Sequence, residues 1–332
     1  MKLMVYSGSG ESSGRGRLGV MLDSGDVGDL RGGYALHLSK ERKHARADEA
    51  ASNLIPDTLA AFLEAGPPAM QAAVDTQRFL SQETRAGAKN GGLVKPLAEC
   101  RLHAPLRPSK LIAVGRNYRS HNESVGTKID MQVPSAWIKA NSAITGPMDD
   151  IVKPDATKEL DYETELSIVI GKRCRDVPEA EAYGVIAGYT IVNDVSARDI
   201  ARIERKEANQ LLGKMFDTFA PMGPWLVTAD EIRDPMQLRL QTRVNGEIRQ
   251  DVSTSTMIWT IPQLISYISQ ATLEPGDVIT TGTPDGCAMG RKPDESSWYL
   301  QPGHVLESEV EGVGVMKNRI VAEPPKRKSW QW

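Results

Sequence analysis

The chain contains 332 residues, of which 40% are hydrophobic and 25% charged, so it is long enough and apolar enough to bury a sizeable core. Its 40 Lys and Arg residues nearly balance its 43 Asp and Glu residues, which excludes the strongly basic character of a nucleic-acid-binding protein. No apolar run approaches the ~20 residues of a membrane span, and the first residues lack the apolar core of a signal peptide. A cytoplasmic protein with neither a nucleic-acid nor a membrane partner is therefore expected.

The three cysteines give no sign of a disulfide framework or of a zinc site. Cys100, Cys174 and Cys287 are odd in number, lie far apart and form no C-x-x-C pair. Reduced thiols in the core or at the surface are therefore expected.

Residues 1–104 are predicted to form a small mixed α/β accessory domain. Three short strands come first: KLMVY (2–6), RLGVML (17–22) and YALHL (34–38). Two helices follow, because apolar residues recur at helical spacing in LAAFLEA (59–65) and AMQAAVDTQRFLSQE (69–83).

Residues 105–322 are predicted to form a larger, mainly β domain. Apolar, β-prone runs follow one another with few interruptions, one of the clearest being a predicted helix at IPQLISYISQA (261–271). The Asn-Gly pair in VNGE (244–247) is typical of a two-residue hairpin turn. Residues 323–332 are predicted to form a charged, proline-stiffened tail.

The segment LDYETELSIVIG (160–171) carries three acidic residues in a period-two pattern. As a half-buried strand it would place Asp161, Glu163 and Glu165 on one face, with ~7 Å between alternate positions. Such a row of like charges is either a solvated face or a set of carboxylates that converge on a cation. Asp194, at the end of the apolar run VIAGYTIVN, could supply a third ligand for Mg²⁺, Mn²⁺ or Ca²⁺.

Six segments in this order resemble motifs of the fumarylacetoacetate hydrolase family. They are GRNYRSHNESVG (115–126), LDYETELSIVIGKRC (160–174), AGYTIVNDVSARD (187–199), GKMFDTFAPMGPWLVT (213–228), VNGEIRQ (244–250) and PGDVITTGTPDG (275–286). The resemblance covers about residues 105–320. It implies an α+β, mainly β fold in which a distorted β-roll follows a small mixed N-terminal domain, and it implies a homodimer.

The resemblance also implies a divalent cation, Mg²⁺ or else Mn²⁺ or Ca²⁺, bound in the roll. Glu163, Glu165 and Asp194 match the family's metal ligands, so Asp161 is expected to be a strand-entry residue that hydrogen-bonds locally. Lys214 of GKMFDTF matches the active-site lysine, and Arg198 matches a substrate-facing arginine. Without the resemblance, Lys214 and Arg198 are interpreted as surface ion-pair residues.

His121 matches the histidine of the family's N-Y-x-x-H segment. Alone, a histidine after a strand is interpreted as a structural or surface residue, but beside a metal it becomes a candidate general base. Many smaller members place a Glu three residues after this histidine, whereas this chain has Ser124 there and Glu123 one residue earlier. Glu123 is the candidate partner, and the dyad remains open.

Three further residues are candidates for substrate binding. Tyr118 lies in the same segment as His121, Lys139 could pair with an acidic substrate, and Thr283 of the TTGTPDG loop could hold a carboxylate or carbonyl. Residues 124–136 and 287–301 are expected to shape the side of the site that selects the substrate.

The function expected from the resemblance is metal-dependent hydrolysis of a carbon–carbon bond in an acylpyruvate or similar β-diketo acid, as in the catabolism of aromatic compounds. The cation would stabilise the departing enolate, His121 would activate water and Lys214 would stabilise negative charge. Decarboxylation, isomerisation, hydration or lyase chemistry on a 2-oxo or hydroxymuconate-type acid is an alternative, and a weakened dyad favours it because no water need be activated. A non-catalytic oxo-acid-binding protein is a further alternative.

Overall fold

The computed structural model of the protein describes residues 1–8, 16–87, 90–126, 130–291 and 295–325. The helices of these residues are α1 (Leu30–Arg42), α2 (Ala47–Leu54), α3 (Leu59–Glu64), α4 (Pro67–Arg85), α5 (Arg119–Ser124), α6 (Arg198–Lys206) and α7 (Ile261–Ile268). The strands before residue 162 are β1 (Lys2–Gly8), β2 (Arg17–Met21), β3 (Val27–Asp29), β4 (Val94–Lys95), β5 (Cys100–His103), β6 (Leu111–Gly115), β7 (Ser135–Lys139), β8 (Ile144–Thr145), β9 (Ile151–Lys153) and β10 (Leu160–Asp161). The later strands are β11 (Thr164–Ile170), β12 (Ile186–Asn193), β13 (Ser196–Ala197), β14 (Ala220–Thr228), β15 (Arg239–Val244), β16 (Glu247–Ser253), β17 (Val278–Thr280), β18 (Val305–Val310) and β19 (Gly314–Ala322).

Most strands belong to two sheets. The larger sheet has the order β4-β3-β2-β1-β14-β12-β11-β17-β6-β7, with β5 added on β1 and β8 on β14. The smaller sheet has the order β16-β15-β18-β19-β9, and β10 pairs with β13. This arrangement confirms the predicted α+β, mainly β class.

The N-terminal strands continue the sheet that carries the later strands. β1 pairs antiparallel with β14, so that Leu3 lies opposite Leu226. Leu3 and Phe62 belong to the same buried hydrophobic cluster as Phe219 and Leu226. One core therefore joins residues on both sides of the predicted boundary at residue 104.

The predicted strand YALHL (34–38) is wrong, because these residues lie inside helix α1. The side chain of Asp29 accepts a hydrogen bond from the backbone N–H of Gly32 at 2.8 Å and caps the helix at its start. Leu30 and Ala35 are buried on the inner side of α1. A period-two pattern over five residues does not distinguish this helix from a strand. Helix α2 was not predicted, whereas α3 and α4 confirm the two predicted helices.

The C-terminal region follows the prediction more closely. Asn245 and Gly246 adopt positive φ angles of 51° and 82° and form the predicted turn between β15 and β16. Helix α7 starts with a capping box between Thr260 and Gln263 and confirms the predicted helix. Helix α6 was not predicted.

The acidic segment does not form one half-buried strand. β10 ends at Asp161 and β11 begins at Thr164, and all seven residues of β11 are buried between β12 and β17. Asp161, Glu163 and Glu165 are no more than 5% exposed, which overturns the interpretation of a solvated face. Buried carboxylates require partners or a cation.

Parts of three predicted segments lie outside the described residues. These are 326–332 of the predicted tail, and 127–129 and 292–294 of the two stretches expected to select the substrate. None of the helices in the described part of the chain has the length and apolar character that a membrane span needs.

Candidate active site

Three buried carboxylates meet at one end of the β11–β12 pair. The register sets Thr164 opposite Asn193, so the residues just beyond this pair, Glu163 and Asp194, become neighbours. The backbone N–H of Asp194 donates to the carbonyl of Glu163 at 2.8 Å and fixes this arrangement. Glu165 lies two residues further along, and one oxygen from each of the three carboxylates lies within 4.8 Å of the others.

Three buried cations surround these carboxylates. Lys214 ends a short 3₁₀ turn, and its Nζ donates to Glu163 Oε2 and Asp194 Oδ2, at 2.6 Å each. Lys139, at the end of β7, donates from Nζ to Asp194 Oδ1 at 2.5 Å. Arg198, the first residue of α6, donates from Nη2 to Glu163 Oε1. Each oxygen of Glu163 and of Asp194 therefore accepts from one positive group.

The pKa values of the two glutamates are shifted in opposite directions. Burial alone raises the pKa of Glu163, but Arg198 and Lys214 outweigh it and hold that pKa well below its usual value. Burial raises the pKa of Glu165 well above its usual value, and the charges of Asp194 and Glu163 add to the effect. Glu165 receives one backbone N–H, from Gly282 at 2.8 Å. It is the carboxylate whose negative charge lacks compensation.

The pKa values of the two lysines also shift in opposite directions. Burial lowers the pKa of Lys214, but the charges of Asp194 and Glu163 outweigh it, so the net shift is upward. Burial lowers the pKa of Lys139 in spite of its contact with Asp194. The neighbouring carboxylates thus favour the ammonium form of Lys214, which can stabilise negative charge.

This donor set fits a hard divalent cation. Counting Asp161, four buried carboxylates face three buried basic side chains, which leaves one negative charge uncompensated. Glu163, Glu165 and Asp194 offer oxygen donors alone, the preference of Mg²⁺, Mn²⁺ and Ca²⁺. A divalent cation would turn the local charge positive, which suits an acidic substrate.

Asp161 makes the expected local hydrogen bond, and it also makes long-range contacts that were not expected. It does accept the N–H of Tyr162 at 2.8 Å, but its Oδ2 also accepts from Arg198 Nε at 2.7 Å. The backbone N–H groups of Ala288 and Met289 donate to the same carboxylate at 2.7 and 3.1 Å. Asp161 thus orients Arg198 and ties the segment after β17 to the site.

His121 lies in helix α5, is 5% exposed and sits beside the carboxylates. Burial lowers its pKa, although the charge of Glu163 opposes this shift. Its Nδ1 lies 3.6 Å from the Sγ of Cys287. The side chain of Glu123 is exposed, so the structure does not bring the candidate dyad together.

The remaining predicted residues are buried at the site or beside it. Burial and the nearby charge of Glu165 raise the pKa of Tyr118. Lys139 pairs with Asp194 as described, so its charge is already engaged. The hydroxyl of Thr283 donates to the carbonyl of Thr164 at 3.0 Å and accepts from Gln250 at 2.9 Å.

Sequence reasoning missed two contacts. The Asp161–Arg198 pair joins residues from different motifs, and the His121–Cys287 contact joins residues 166 positions apart. Neither has a local pattern. The nearest signal for Cys287 was its position directly after the TTGTPDG loop.

Buried carboxylates, fixed cations and a neighbouring histidine with a shifted pKa are features that mark candidate enzyme sites. The family model described as fumarylacetoacetate (FAA) hydrolase C-terminal matches residues 110–321. The chain belongs to the fumarylacetoacetate hydrolase family, whose members are enzymes, as its six motifs predicted.

Three of the similar proteins represent three chemistries. The oxaloacetate tautomerase Fahd2a of Rattus norvegicus mitochondria is 39% identical over 269 residues, which are 80% of each chain. A 5-carboxymethyl-2-hydroxymuconate delta-isomerase structure from Mycobacterium smegmatis is 41% identical with a TM-score of 0.60, covering 70% of this chain and 84% of that one. The maleylpyruvate hydrolase of Sphingobium sp. SYK-6, solved with manganese(II) ion and pyruvate, is 27% identical with a TM-score of 0.68, covering 98% of this chain and 100% of that one.

Proposed function

We propose that this enzyme interconverts tautomers of a small 2-oxo dicarboxylic acid of the oxaloacetate type by moving a proton next to the oxo group. The observation that carries the proposal is the exposure of Glu123, which leaves buried His121 without the partner expected to orient it for attack by water. A proton shift requires no activated water, so this arrangement suits tautomerisation better than hydrolysis. The named activity of the rat relative agrees with this choice.

Glu163, Glu165 and Asp194 would hold the cation, for which we propose Mg²⁺ or Mn²⁺. When bound, such a cation supplies Lewis-acid polarisation of an oxo group and favours its enol form. The chain's own task is then to position the acid and to move one proton. We also propose that the enzyme acts as a homodimer, which sedimentation velocity tests directly.

His121 would take the proton from the carbon next to the oxo group, and the imidazolium so formed would give a proton to the oxo oxygen, which completes the enol and restores the neutral imidazole. A neutral imidazole is required, and burial favours it by lowering the pKa of His121. The Lys214 ammonium would stabilise the negative charge that develops between the two proton transfers. We propose that Lys139 supports Asp194, while Tyr118, Arg198 and Thr283 line the site.

The test follows the enol absorbance of oxaloacetate in three samples. They contain manganese-loaded enzyme, enzyme whose metal has been removed by a chelator, and a manganese-loaded His121→Gln variant. We expect the loaded enzyme to speed equilibration, and chelation or His121→Gln to reduce the rate at least a hundredfold, the size of a general acid–base contribution. His44→Gln is the matched control, because His44 is exposed. Unchanged equilibration rates with the loaded enzyme would refute the proposal.

Acylpyruvate hydrolysis is the second candidate. It is supported by the likeness to the maleylpyruvate hydrolase structure over nearly the whole length of both chains. The same preparations are therefore given acylpyruvates, and loss of the 1,3-diketone absorbance is recorded. Metal-dependent cleavage without accelerated enol equilibration would establish the hydrolase in place of the tautomerase.

A further inference from the structure

A second group of metal-binding donors lies beside the three carboxylates. It consists of His121 from α5, Cys287 from the segment after β17, and Glu163, which also belongs to the carboxylate group. One ligand atom from each of the three lies within 4.8 Å of the other two, and all three side chains are buried. The proposed reaction uses no property of Cys287.

The separation of the imidazole nitrogen and the sulfur matches a tetrahedral metal centre. Zinc binds sulfur at about 2.3 Å and imidazole nitrogen at about 2.0–2.1 Å, so tetrahedral angles place these two atoms about 3.6 Å apart. The observed distance from His121 Nδ1 to Cys287 Sγ is 3.6 Å. The pair could thus hold a zinc-sized ion with little movement of the side chains.

The two donor groups differ in chemical softness. Oxygen ligands alone suit Mg²⁺ and Mn²⁺, whereas sulfur and imidazole nitrogen favour Zn²⁺ and Cd²⁺. We propose that His121, Cys287 and Glu163 form a separate site for a soft or borderline divalent cation such as Zn²⁺ or Cd²⁺. Glu163 would be a ligand common to this site and to the carboxylate site.

Binding of the cation would release the proton of the Cys287 thiol. The cation would replace the thiol proton, which passes to solvent, and would face one thiolate and one carboxylate beside a neutral imidazole. Glu163 already accepts from Arg198 and Lys214, so the thiolate is the new negative charge that the buried cation would face. Because a proton is released, affinity is expected to rise with pH.

Occupation of this site is expected to inhibit the enzyme. This consequence rests on the proposed function, since the cation would occupy the imidazole that is to exchange the substrate proton. The binding itself depends only on the three donors. Binding and inhibition are therefore measured separately.

Binding is measured by titrating Cd²⁺ into manganese-saturated protein and recording the ultraviolet thiolate-to-cadmium charge-transfer absorption. The host protein carries Cys100→Ser and Cys174→Ser, so that Cys287 is its only thiol. We expect the absorption to saturate at one Cd²⁺ per chain. Adding Cys287→Val should abolish it, and adding His121→Gln should weaken apparent Cd²⁺ affinity about tenfold or more.

The thermal transition and near-ultraviolet circular dichroism establish that each variant is folded. Glu307→Gln provides a control carboxylate change on β18 and should leave the titration unaltered. No absorption in the host protein, or absorption that survives Cys287→Val, would overturn the site.

In the inhibition experiment, the enol equilibration rate of each protein with zinc is compared with its rate without zinc. Zinc should inhibit the host protein at concentrations at least tenfold below those that inhibit the Cys287→Val variant. Normal cadmium absorption with equal zinc sensitivity would leave the metal site standing and refute the assigned role of His121. Absence of the absorption from the host protein would refute the metal site and leave the tautomerase proposal untouched.

Discussion

Glu163 and Glu165 are two residues apart, but their electrostatic surroundings differ. Glu163 accepts from Arg198 and Lys214, whereas Glu165 accepts from a backbone amide and faces other carboxylates. The first is stabilised as an anion and the second is destabilised as one. Both are proposed metal ligands, but only Glu163 is stabilised as an anion in the metal-free protein. Their effects on stability should therefore differ, whereas their effects on metal binding should be alike.

Replacing each glutamate by glutamine tests this difference. Glu163→Gln should lower the free energy of unfolding of the metal-free protein by about 2 kcal/mol or more, because Arg198 and Lys214 each lose one of their two buried carboxylate partners. Glu165→Gln should change it little, because a neutral amide resembles the protonated acid. Both variants should lose high-affinity Mn²⁺ binding, measured by calorimetry, whereas Glu307→Gln should retain it. Equal destabilisation by the two site variants would contradict the assigned charge states.

At the scale of elements, the segment after β17 is held close to the buried carboxylates of Asp161 and Glu165. Gly282 donates to Glu165, and the amides of Ala288 and Met289 donate to Asp161. Gly286 lies between these contacts with a φ of +95°, and a Cβ there would lie 2.1 Å from the carbonyl oxygen of Arg249. The close approach of two backbones sets the path of this segment.

Gly286→Ala should therefore lower the free energy of unfolding by more than the strain of a positive φ angle alone would. Gly303 is a matched control, because its φ is +96° but a Cβ there would meet nothing within 4 Å. Gly303→Ala is expected to lower the free energy of unfolding by about 1 kcal/mol, and Gly286→Ala by roughly 2–4 kcal/mol. Denaturant titration measures both, and equal values would show that the close approach is relieved easily.

The turn between β8 and β9 provides a pH-dependent contribution to stability. Asp149 is buried enough to raise its pKa, but hydrogen bonds from Arg101 and Gly146, at 2.9 Å each, outweigh burial and lower it. The carboxylate therefore stabilises the fold above its ordinary pKa of about 4, and this contribution disappears as pH falls through the lowered value. Asp149→Asn should cost about 1 kcal/mol at neutral pH and progressively less in acid, as measured by denaturant titration across pH.

At the scale of the whole molecule, the N-terminal residues share a core with the family region. Leu3 on β1 is fully buried, and its cluster includes Phe62, Phe219 and Leu226. β1 also pairs with β14, which in turn pairs with β12. The sheet is continuous from the N-terminal strands to the strand that ends at the active site.

This continuity predicts that residues 1–104 and 105–322 unfold together. Leu3→Ala should lower the free energy of unfolding by about 2–5 kcal/mol and shift one common transition, because it creates a cavity in the shared core. Tryptophan fluorescence and far-ultraviolet circular dichroism should report the same midpoint. Val133→Ala, which alters an exposed side chain, is the control. Two separate transitions would show that the N-terminal domain is energetically independent.

The sequence predicted the parts of the site that local pattern and motif order specify. Glu163 and Glu165 alternate along one segment, and Asp194 ends an apolar strand, so their convergence was predictable once the two strands were paired. The exposure of Glu123 and the contact of His121 with Cys287 depend on how α5 packs against a distant segment, which no local pattern specifies. Likewise, the cap at Asp29 and the burial pattern of α1 decided against a strand that five residues alone suggested.

The burial of β11 on both faces has a consequence for the timescale on which the site can open. Backbone amides exchange with solvent only when their hydrogen bonds break, and centrally paired strands usually require global unfolding for this. The amides of Thr164–Ile170 should thus be among the slowest to take up deuterium, whether or not metal is present. The proposed ligands next to and within β11 would then be held by the part of the molecule that opens most slowly. Substrate would enter through rearrangements of the surrounding segments.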